Sequence, residues 1–395
     1  MESSDGQWAS TVNFDLTEEQ KQFRGRIDDF AAKFLDEDAQ QRDRDAEFSE
    51  SLWECCADFG LLKMNVPVQY GGDREPIDLF DAVLAMEALG KGCRDQGLLL
   101  AINVQLWSVQ LPILQVGSEY QKRELLPKLA SGQWKAAHAM TEPEAGSDAF
   151  GITTSATPVE GGYRLTGKKC MVTLAPLADL MLVTAVVDRS KGRWGLGSFL
   201  VEPKSIGCEV GPVDSKMGMR TVPFSAVELK DCFVPDVMRL GTKDGDMTSL
   251  QTLLEVERCC ILAGHVGAME YQLEQAVQFA RSRRQFSTSI GSFQSVSNRI
   301  ADMRVRLETS RLLLYRVAWL KSQNRSAVSE AAMLKLHLSE SFVTSSMDAM
   351  RIHGGRGYMT EFGVEKDLRD AMGGLFYAGT SDIQRNIVAR MMGVG

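Results

Sequence analysis

The chain has 395 residues, more than the roughly 100–200 that are usual for one domain, so we expect two or three packed modules. With 44% hydrophobic and 24% charged residues its composition is that of a globular protein, which excludes a disordered tail. Lys and Arg total 44 against 52 Asp and Glu, and the net charge of -8 disfavours contact with a phosphate backbone, so we expect no nucleic-acid partner.

The cysteines and the apolar segments indicate the cellular compartment of the protein. The eight cysteines show no CxxC or Cys/His ligand spacing, which is typical of buried thiols in a reducing compartment. The first ten residues lack a basic region followed by an apolar core, so we expect a cytoplasmic protein. The charge-free stretch from Gln96 to Ser118 is long enough to cross a membrane, but polar residues interrupt it. We predict a buried helix there and no membrane partner.

The apolar pattern changes twice along the chain. Residues 1–137 show the 3.6-residue spacing of helices, with a start signal at Thr17 followed by acidic residues. Residues 138–240 change to short apolar or alternating runs between Gly, Pro, Asp and Lys clusters, which predicts a β module. Helical spacing returns in 241–395, at about 246–283, 290–322 and 327–352 and from Thr380. The prediction is an α+β protein of three domains, in the order helical, β, helical.

Several kinds of site have no support in the sequence. The histidines lie far apart without the spacing of metal ligands, so no metal site is predicted; they are His138, His265, His337 and His353. No GxSxG or Cys/His pattern indicates a nucleophile. Neither GxGxxG nor a P-loop motif occurs at a strand-to-helix junction, so a nucleotide cofactor would need a different architecture.

One acidic residue stands out in the segment 246–268. Apolar or small residues recur there at helical spacing and form a stripe that we expect to be buried: Leu250, Leu254, Ile261, Gly264 and Ala268. Glu257 lies on the midline of this stripe. A buried carboxylate needs a partner or a function, because burial without a partner is costly and raises its pKa. An ion pair with an arginine from another helix and a role in removing a proton next to a carbonyl are both open.

Two polar clusters are open to two interpretations. TEPEAGSD at 141–148 and YAGTSDIQRN at 377–386 are typical of turns and helix N-caps, and Thr380, Ser381 and Asp382 fit a helix start. The same residues can also present backbone N–H groups to a diphosphate, and HGGRGY at 353–358 would allow a close approach.

Four segments together resemble the signatures of the acyl-CoA dehydrogenase flavoproteins, and they occur in that family's order. They are MTEPEAGSDAF at 140–150, RSRRQF at 281–286, RIHGGRGYMTEFGVEKDLRDA at 351–371 and YAGTSDIQRNIVAR at 377–390. The resemblance implies an N-terminal helical domain (1–137), a middle β-barrel (138–240) and a C-terminal four-helix bundle (241–395). It also implies FAD as the cofactor and a homotetramer as the assembly.

The resemblance also implies a role for each matching residue. The residues that would line the flavin are Met140, Thr141, Ser147, Met171, Val172 and Thr173. Those that would reach the FAD of a neighbouring subunit, or its diphosphate and adenosine end, are Arg283, Phe286, Gln294, Arg351, Gly354, Gly355, Thr380 and Asp382. The chain departs from the family pattern at Met171, where an aromatic residue is common, and at Arg351, where many members carry glutamine.

The most informative departure is Ala378. Most family members carry the catalytic glutamate at this position, and alanine cannot remove a proton. A minority, including isovaleryl-CoA and long-chain enzymes, carry the base on a bundle helix immediately before an arginine, where VERCCILAG at 256–264 places Glu257. The resemblance therefore implies that Glu257 is the base, and that the backbone N–H of Ala378 holds the substrate carbonyl.

A narrower resemblance concerns the substrate. GAMEYQLEQAVQFARSRRQF at 267–286, RIADMRVRLETSRLLL at 299–314 and the small residue in YAGTSD are similar to dehydrogenases of prolyl thioesters on carrier proteins. This implies a phosphopantetheinylated carrier as partner, a pyrroline or pyrrole-2-carboxyl thioester as product, and an electron-transfer flavoprotein or dioxygen as acceptor. A branched- or medium-chain acyl-CoA dehydrogenase and a flavin-free member kept for complex formation stay open as alternatives.

Overall fold

The computed structural model describes residues 15–36, 38–241 and 247–394, with the side chains of 247–254 excepted. The α-helices in this part of the chain are α1 (Glu18–Phe34), α2 (Ala39–Asp45), α3 (Glu50–Asp58), α4 (Leu79–Gly92), α5 (Gln96–Asn103), α6 (Leu111–Val116), α7 (Glu119–Ala130), α8 (Met247–Ser282), α9 (Gln294–Ser322), α10 (Val328–His353), α11 (Gly355–Tyr358), α12 (Val364–Gly373) and α13 (Ser381–Met391). The strands are β1 (Ala136–Ala139), β2 (Ser155–Val159), β3 (Gly162–Thr173), β4 (Leu180–Val186), β5 (Leu196–Val201), β6 (Cys208–Val213), β7 (Phe224–Pro235), β8 (Arg239–Leu240), β9 (Arg284–Gln285) and β10 (Thr288–Ser289). The order helical, β, helical and the α+β class are confirmed, whereas the domain boundaries at 137 and 240 stay predictions.

The first helix begins where the sequence indicates. The Thr17 hydroxyl accepts a hydrogen bond from the Gln20 N–H, and the Gln20 side chain accepts one from the Thr17 N–H. This reciprocal cap satisfies two backbone donors that a helix start otherwise leaves without partners. The start signal predicted at Thr17 is confirmed.

The charge-free stretch forms a continuous helix through α5, a π-helical segment (Val104–Gln110) and α6. The helix Gln96–Val116 is long and apolar enough to span a membrane, but most of it is buried inside the protein. Two of its polar side chains bond to carbonyl groups of the chain: the Asn103 amide donates to Leu99, and the Gln105 amide donates to Leu129 and Trp134. The prediction of a buried helix is confirmed.

Eight strands form one sheet, in the order β6-β7-β3-β2-β4-β5-β8, and β1 pairs with β4. The long strands β3 and β7 are antiparallel partners, whereas β1 and β4 run parallel. The parallel pair brings the chain directly from α7 into the sheet. Thus β1 lies between the helical N-terminal part and the strands that carry the predicted flavin-lining residues.

The three long stretches predicted in the C-terminal part are α8, α9 and α10, and α13 begins after Thr380 as predicted. Helix α8 also packs closely on α4. A β-carbon on Gly90 would collide with the backbone of Gly264, and one on Gly267 would collide with the backbone of Glu87. Only glycine allows two helix backbones to approach this closely. The contact fixes the position of α8, and with it the position of Glu257 two turns before Gly264.

Candidate active site

Glu257 lies on α8 with its carboxylate partly buried. The Ser108 hydroxyl, from the π-helical segment, donates a 2.6 Å hydrogen bond to its Oε1 atom. Within the described residues Glu257 forms no ion pair. Farther along the predicted stripe, Ile261 and Ala268 are buried, whereas the side chains of Leu250 and Leu254 lie outside the described residues. The ion-pair alternative from the sequence is therefore not supported.

Arg258 points away from Glu257 and links α8 to a different segment. Its Nε atom donates a 3.1 Å hydrogen bond to the carbonyl oxygen of Ala378. Burial lowers the pKa of the guanidinium, and the nearby carboxylates of Glu257 and Glu255 oppose that shift. The glutamate and the arginine that follow each other in sequence thus have separate tasks: Glu257 faces Ser108, and Arg258 anchors the segment around Ala378.

The segment Tyr377–Gly379 has an unusual backbone that side chains hold from several sides. Ala378 and Gly379 both adopt positive φ angles, 54° and 91°. The Gln384 amide donates to the carbonyl oxygens of Ala378 (3.2 Å) and Gly379 (3.1 Å). The Tyr377 hydroxyl lies 2.7 Å from Nε2 of His265. A left-handed alanine persists only where its surroundings fix it, and here they do.

The consequence of this geometry is a free donor at Ala378. Its carbonyl oxygen is held by Arg258 and Gln384, whereas its N–H bonds to no group in the part of the chain that the structure describes. A fixed backbone N–H without an internal partner is suited to bind an oxygen that gains negative charge.

One group of predicted flavin-lining residues lies together at an end of the sheet. The carbonyl of Thr141 accepts a 3.0 Å hydrogen bond from the N–H of Cys170, which joins Met140 and Thr141 to the end of β3. There Met171 has a φ of +53° and is 60% exposed, while Val172 is buried. A large apolar side chain held outward in a left-handed backbone provides a surface for a flat aromatic group. Ser147 is exposed in the following loop, and Thr173 is half-buried.

A buried ion pair holds the loop that follows Met140. Lys169 is fully buried, and its ammonium group donates to Glu142 (2.8 Å) and to the carbonyl of Met140 (2.9 Å). The Glu142 carboxylate also accepts from the backbone N–H groups of Thr153 and Thr154. Burial alone would raise the pKa of Glu142, but the hydrogen bonds from Lys169 and the two threonines hold it at about 2.

We expect Glu142→Gln to lower the free energy of unfolding by about 3 kcal/mol at pH 7, because it leaves the Lys169 ammonium buried without a counter-charge. The pKa of Glu142 in the folded state lies below its ordinary value of 4.5. Its stabilisation is therefore complete above about pH 4.5 and is lost as the pH falls towards 2. Urea unfolding at a series of pH values should show the two proteins converging over this range. The exposed Glu144→Gln is the control, and a difference independent of pH would contradict the assignment.

The sequence analysis did not identify His138 as a site residue. The structure places it between the segment bonded to Glu257 and the residues predicted to line the flavin. It lies in β1 and is partly exposed, while its three strand neighbours Ala136, Ala137 and Ala139 are fully buried. Met140, from the group predicted to line the flavin, follows two residues later, just past the end of β1. A histidine within a run of alanines was readable from the sequence, but its neighbours in space were not.

The remaining predicted residues form two further groups. Thr380 and Asp382 lie two and four residues after Ala378. Thr380 caps α13 by accepting a hydrogen bond from the N–H of Ile383, and Asp382 is exposed. The other group lies far from Glu257, since roughly 38 Å of helix separates Glu257 from Ser282 at about 1.5 Å per residue. Around that end, where His353 stacks on Phe279, lie Arg283, Phe286, Gln294, Arg351, Gly354 and Gly355.

The second of these groups, at the far end of α8 and called the distal group below, is open to a ligand from outside the chain. Phe286 is 90% exposed with a φ of +51°, and Gly354 has a φ of +59°. No atom lies within 4 Å of the place where a β-carbon on Gly354 or Gly355 would sit. Arg351 pairs with Asp348 and is half-exposed. The two surfaces suit the two ends of FAD: the apolar Met171 surface suits the ring system, and the open glycine backbone with nearby arginines suits a diphosphate.

Models of the three acyl-CoA dehydrogenase domains match the chain in order: the N-terminal domain at 17–133, the middle domain at 137–232 and the C-terminal domain at 246–393. The chain therefore belongs to the acyl-CoA dehydrogenase family, and the predicted fold class is confirmed.

Individual relatives narrow this class. The L-prolyl-[peptidyl-carrier protein] dehydrogenase of Pseudomonas fluorescens is 38% identical over 96% of this chain and 99% of its own length. The enzyme of the same name from Serratia is 37% identical over 97% and 99%. Among solved structures, the prolyl acyl carrier protein oxidase AnaB has a TM-score of 0.93 at 39% identity, covering 96% of this chain and 100% of AnaB. PigA with FAD and proline has a TM-score of 0.94 at 36% identity, covering 97% and 100%.

Proposed function

We propose that the protein is an FAD-dependent dehydrogenase that oxidises an L-prolyl thioester on a carrier protein, in the biosynthesis of a natural product. The similarity to two prolyl carrier protein dehydrogenases, and to a structure of PigA with FAD and proline, supports the substrate. The observation that carries the reaction is that α8 connects a base to an oxygen-binding donor. Glu257 is bonded to Ser108, and the next residue, Arg258, anchors the segment on which the N–H of Ala378 has no partner among the described residues.

The chain's own groups perform the proton chemistry. Glu257 takes the proton from the carbon next to the thioester carbonyl, which is acidic only if the carbonyl oxygen is stabilised as charge develops on it. The Ala378 N–H donates a hydrogen bond to that oxygen, and such a donor contributes about 3–4 kcal/mol to the transition state. Bound FAD supplies the acceptor for the hydride that leaves the neighbouring carbon. Residues Met140, Thr141, Ser147, Met171, Val172 and Thr173 would hold its ring system.

The absence of a carboxylate at residue 378 fits this division of work. In the main branch of the family the base stands on that segment, whereas here the segment contributes a backbone donor alone. A second carboxylate would repel the charge on Glu257 and occupy the space beside it. A single oxidation of the prolyl ring gives a pyrroline thioester, and a second gives the pyrrole-2-carboxyl thioester.

The distal group supports an assembly of several subunits. These residues lie around the far end of α8, too far from Glu257 to complete the site of their own chain; they are Arg283, Phe286, Gln294, Arg351, Gly354 and Gly355. We propose that they hold the FAD of a neighbouring subunit in a homotetramer. Thr380 and Asp382 approach the diphosphate and adenosine end of the FAD. We further propose a cytoplasmic enzyme whose electrons pass to an electron-transfer flavoprotein or to dioxygen. Electron-transfer flavoproteins are named with two relatives, the CarC subunit of the caffeyl-CoA reductase-Etf complex and a protein of Acidaminococcus fermentans.

Mass spectrometry of the carrier tests this function. The purified holoenzyme is incubated with a carrier protein bearing prolyl-phosphopantetheine, and separately with prolyl-CoA, isovaleryl-CoA and octanoyl-CoA. We expect the prolyl carrier to lose two or four hydrogen atoms and the CoA thioesters to react far more slowly. Oxidation of an acyl-CoA but not of the prolyl carrier would establish the ordinary acyl-CoA dehydrogenase instead. Purified protein that is still colourless after incubation with FAD and removal of the free FAD would contradict the enzyme assignment altogether.

A further inference from the structure

We propose that His138 is a specificity-determining residue whose imidazole accepts a hydrogen bond from the ring nitrogen of the prolyl group. This inference rests on the proposed function, because it names the side chain that reads the feature by which proline differs from a hydrocarbon acyl group. None of the residues that carry the proton or hold the carbonyl distinguishes the two kinds of substrate.

The position of β1 places His138 beside the base. The N–H of Ala136, two residues earlier, donates a 2.8 Å hydrogen bond to the side chain of Gln105. Gln105 belongs to the same π-helical segment as Ser108, which bonds to Glu257. The strand that carries His138 is thus tied directly to the segment that orients the base.

The direction of the side chain follows from the strand. Residues 136 and 138 share one face of β1, because successive side chains alternate, and Met140 follows the end of the strand. Met140 belongs to the group that we assign to the flavin, and its carbonyl is fixed by the Lys169 ammonium. His138 therefore lies between Ala136, which is bonded to the segment that orients the base, and Met140, which we assign to the flavin.

The imidazole is free to bind a ligand. On its own strand the neighbour that shares its face is the short Ala136, and the residue paired with it in β4 is Leu182. No group in the described part of the chain hydrogen-bonds to the ring, although Ser108, Lys169 and Gln105 nearby all have partners. A partly exposed histidine without a partner has an unused acceptor or donor.

The charge state of the His138 imidazole decides whether it offers a hydrogen-bond acceptor or only donors. Burial lowers the pKa of His138, the Lys169 ammonium lowers it further, and the Glu257 carboxylate opposes them. Lys169 lies on β3 and Glu257 on α8. At neutral pH the ring is therefore uncharged, and one of its nitrogens is an acceptor. A prolyl ring offers an N–H donor, whereas the ring or chain of a hydrocarbon acyl group offers none.

The test compares two substrates of nearly the same shape. Carrier protein loaded with prolyl or with cyclopentanecarbonyl phosphopantetheine differs only in having N–H or CH₂ in the ring. We expect His138→Leu to lower kcat/KM for the prolyl carrier roughly 10- to 100-fold, and to leave or improve that for the cyclopentanecarbonyl carrier. His138→Gln, which keeps an acceptor, should recover part of the loss. FAD absorbance verifies that each variant retains its cofactor.

The outcomes separate this inference from the function on which it rests. Equal losses for both substrates, or no loss in His138→Leu, would overturn the role of His138 while the wild-type enzyme still oxidises the prolyl carrier. Failure of the wild-type enzyme with the prolyl carrier would overturn the proposed function and this inference with it. If His138→Leu does not fold, His138→Gln with both substrates still decides, because full loss for prolyl and cyclopentanecarbonyl alike contradicts an acceptor role.

Discussion

The variant Glu257→Gln is expected to bind FAD normally and to lose the bleaching of the flavin by substrate, with a rate loss of roughly 10²- to 10⁴-fold. The amide has the shape of the carboxylate, and its oxygen can still accept the hydrogen bond from Ser108. It cannot accept a proton from carbon. Anaerobic stopped-flow absorbance at the flavin band measures the rate directly, before any electron acceptor is involved.

A matched change on the same helix provides the control. Glu274 lies on α8 with a largely exposed side chain that pairs with Lys91, so Glu274→Gln makes the same chemical change far from Ser108. It should bleach at the wild-type rate. Normal bleaching by Glu257→Gln would show that another group removes the proton, and the mechanism would have to be abandoned.

The variant Gly379→Ala is expected to lower the rate of flavin reduction roughly 10²- to 10³-fold, the effect of losing one oxyanion donor. Gly379 has a φ of +91°, which strains any side-chain-bearing residue. A β-carbon there would also lie 2.6 Å from the amide nitrogen of Gln384. That nitrogen holds the carbonyls of Ala378 and Gly379, so its displacement releases the Ala378 N–H from its fixed direction.

The control for Gly379→Ala separates backbone strain from the site. Gly393 also has a positive φ, 78°, but no atom lies within 4 Å of its would-be β-carbon. Gly393→Ala therefore introduces similar strain without touching the Ala378 segment. Both rates are measured by single-turnover reduction with a saturating prolyl carrier. Equal, small effects of the two substitutions would show that the orientation of the Ala378 N–H does not limit the reaction.

Local patterns predicted the elements that carry the site. The start of α1 at Thr17 and of α13 after Thr380 follows from hydroxyl caps that bond to the next turn. The length of α8 follows from its continuous helical spacing, which placed Glu257 within a helix and two turns before Gly264. Such predictions succeed because caps and periodicity act between residues that are close in the chain.

Contacts between distant segments could not be read in the same way. Arg258 and Ala378 are far apart in the sequence, and no spacing rule connects a guanidinium with a particular carbonyl. His138 was set aside with the other histidines because no partner stood near it in the chain. Resemblance to the family separated the residues that would line the flavin from those for a neighbouring subunit's FAD or its diphosphate and adenosine end. The structure divides the second set further, since Thr380 and Asp382 lie beside Ala378 and the others lie around the far end of α8.

The π-helical segment Val104–Gln110 has a consequence for how such a site can change over time. A wide turn holds one residue more than an α-helical turn, so it rotates the side chains that follow by about 100°. Deleting one of residues 104–107 would rotate the Ser108 hydroxyl away from Glu257 without any substitution in the sequence. Gain or loss of this hydroxyl among homologues could therefore arise by insertion or deletion, which an alignment of substitutions alone would overlook.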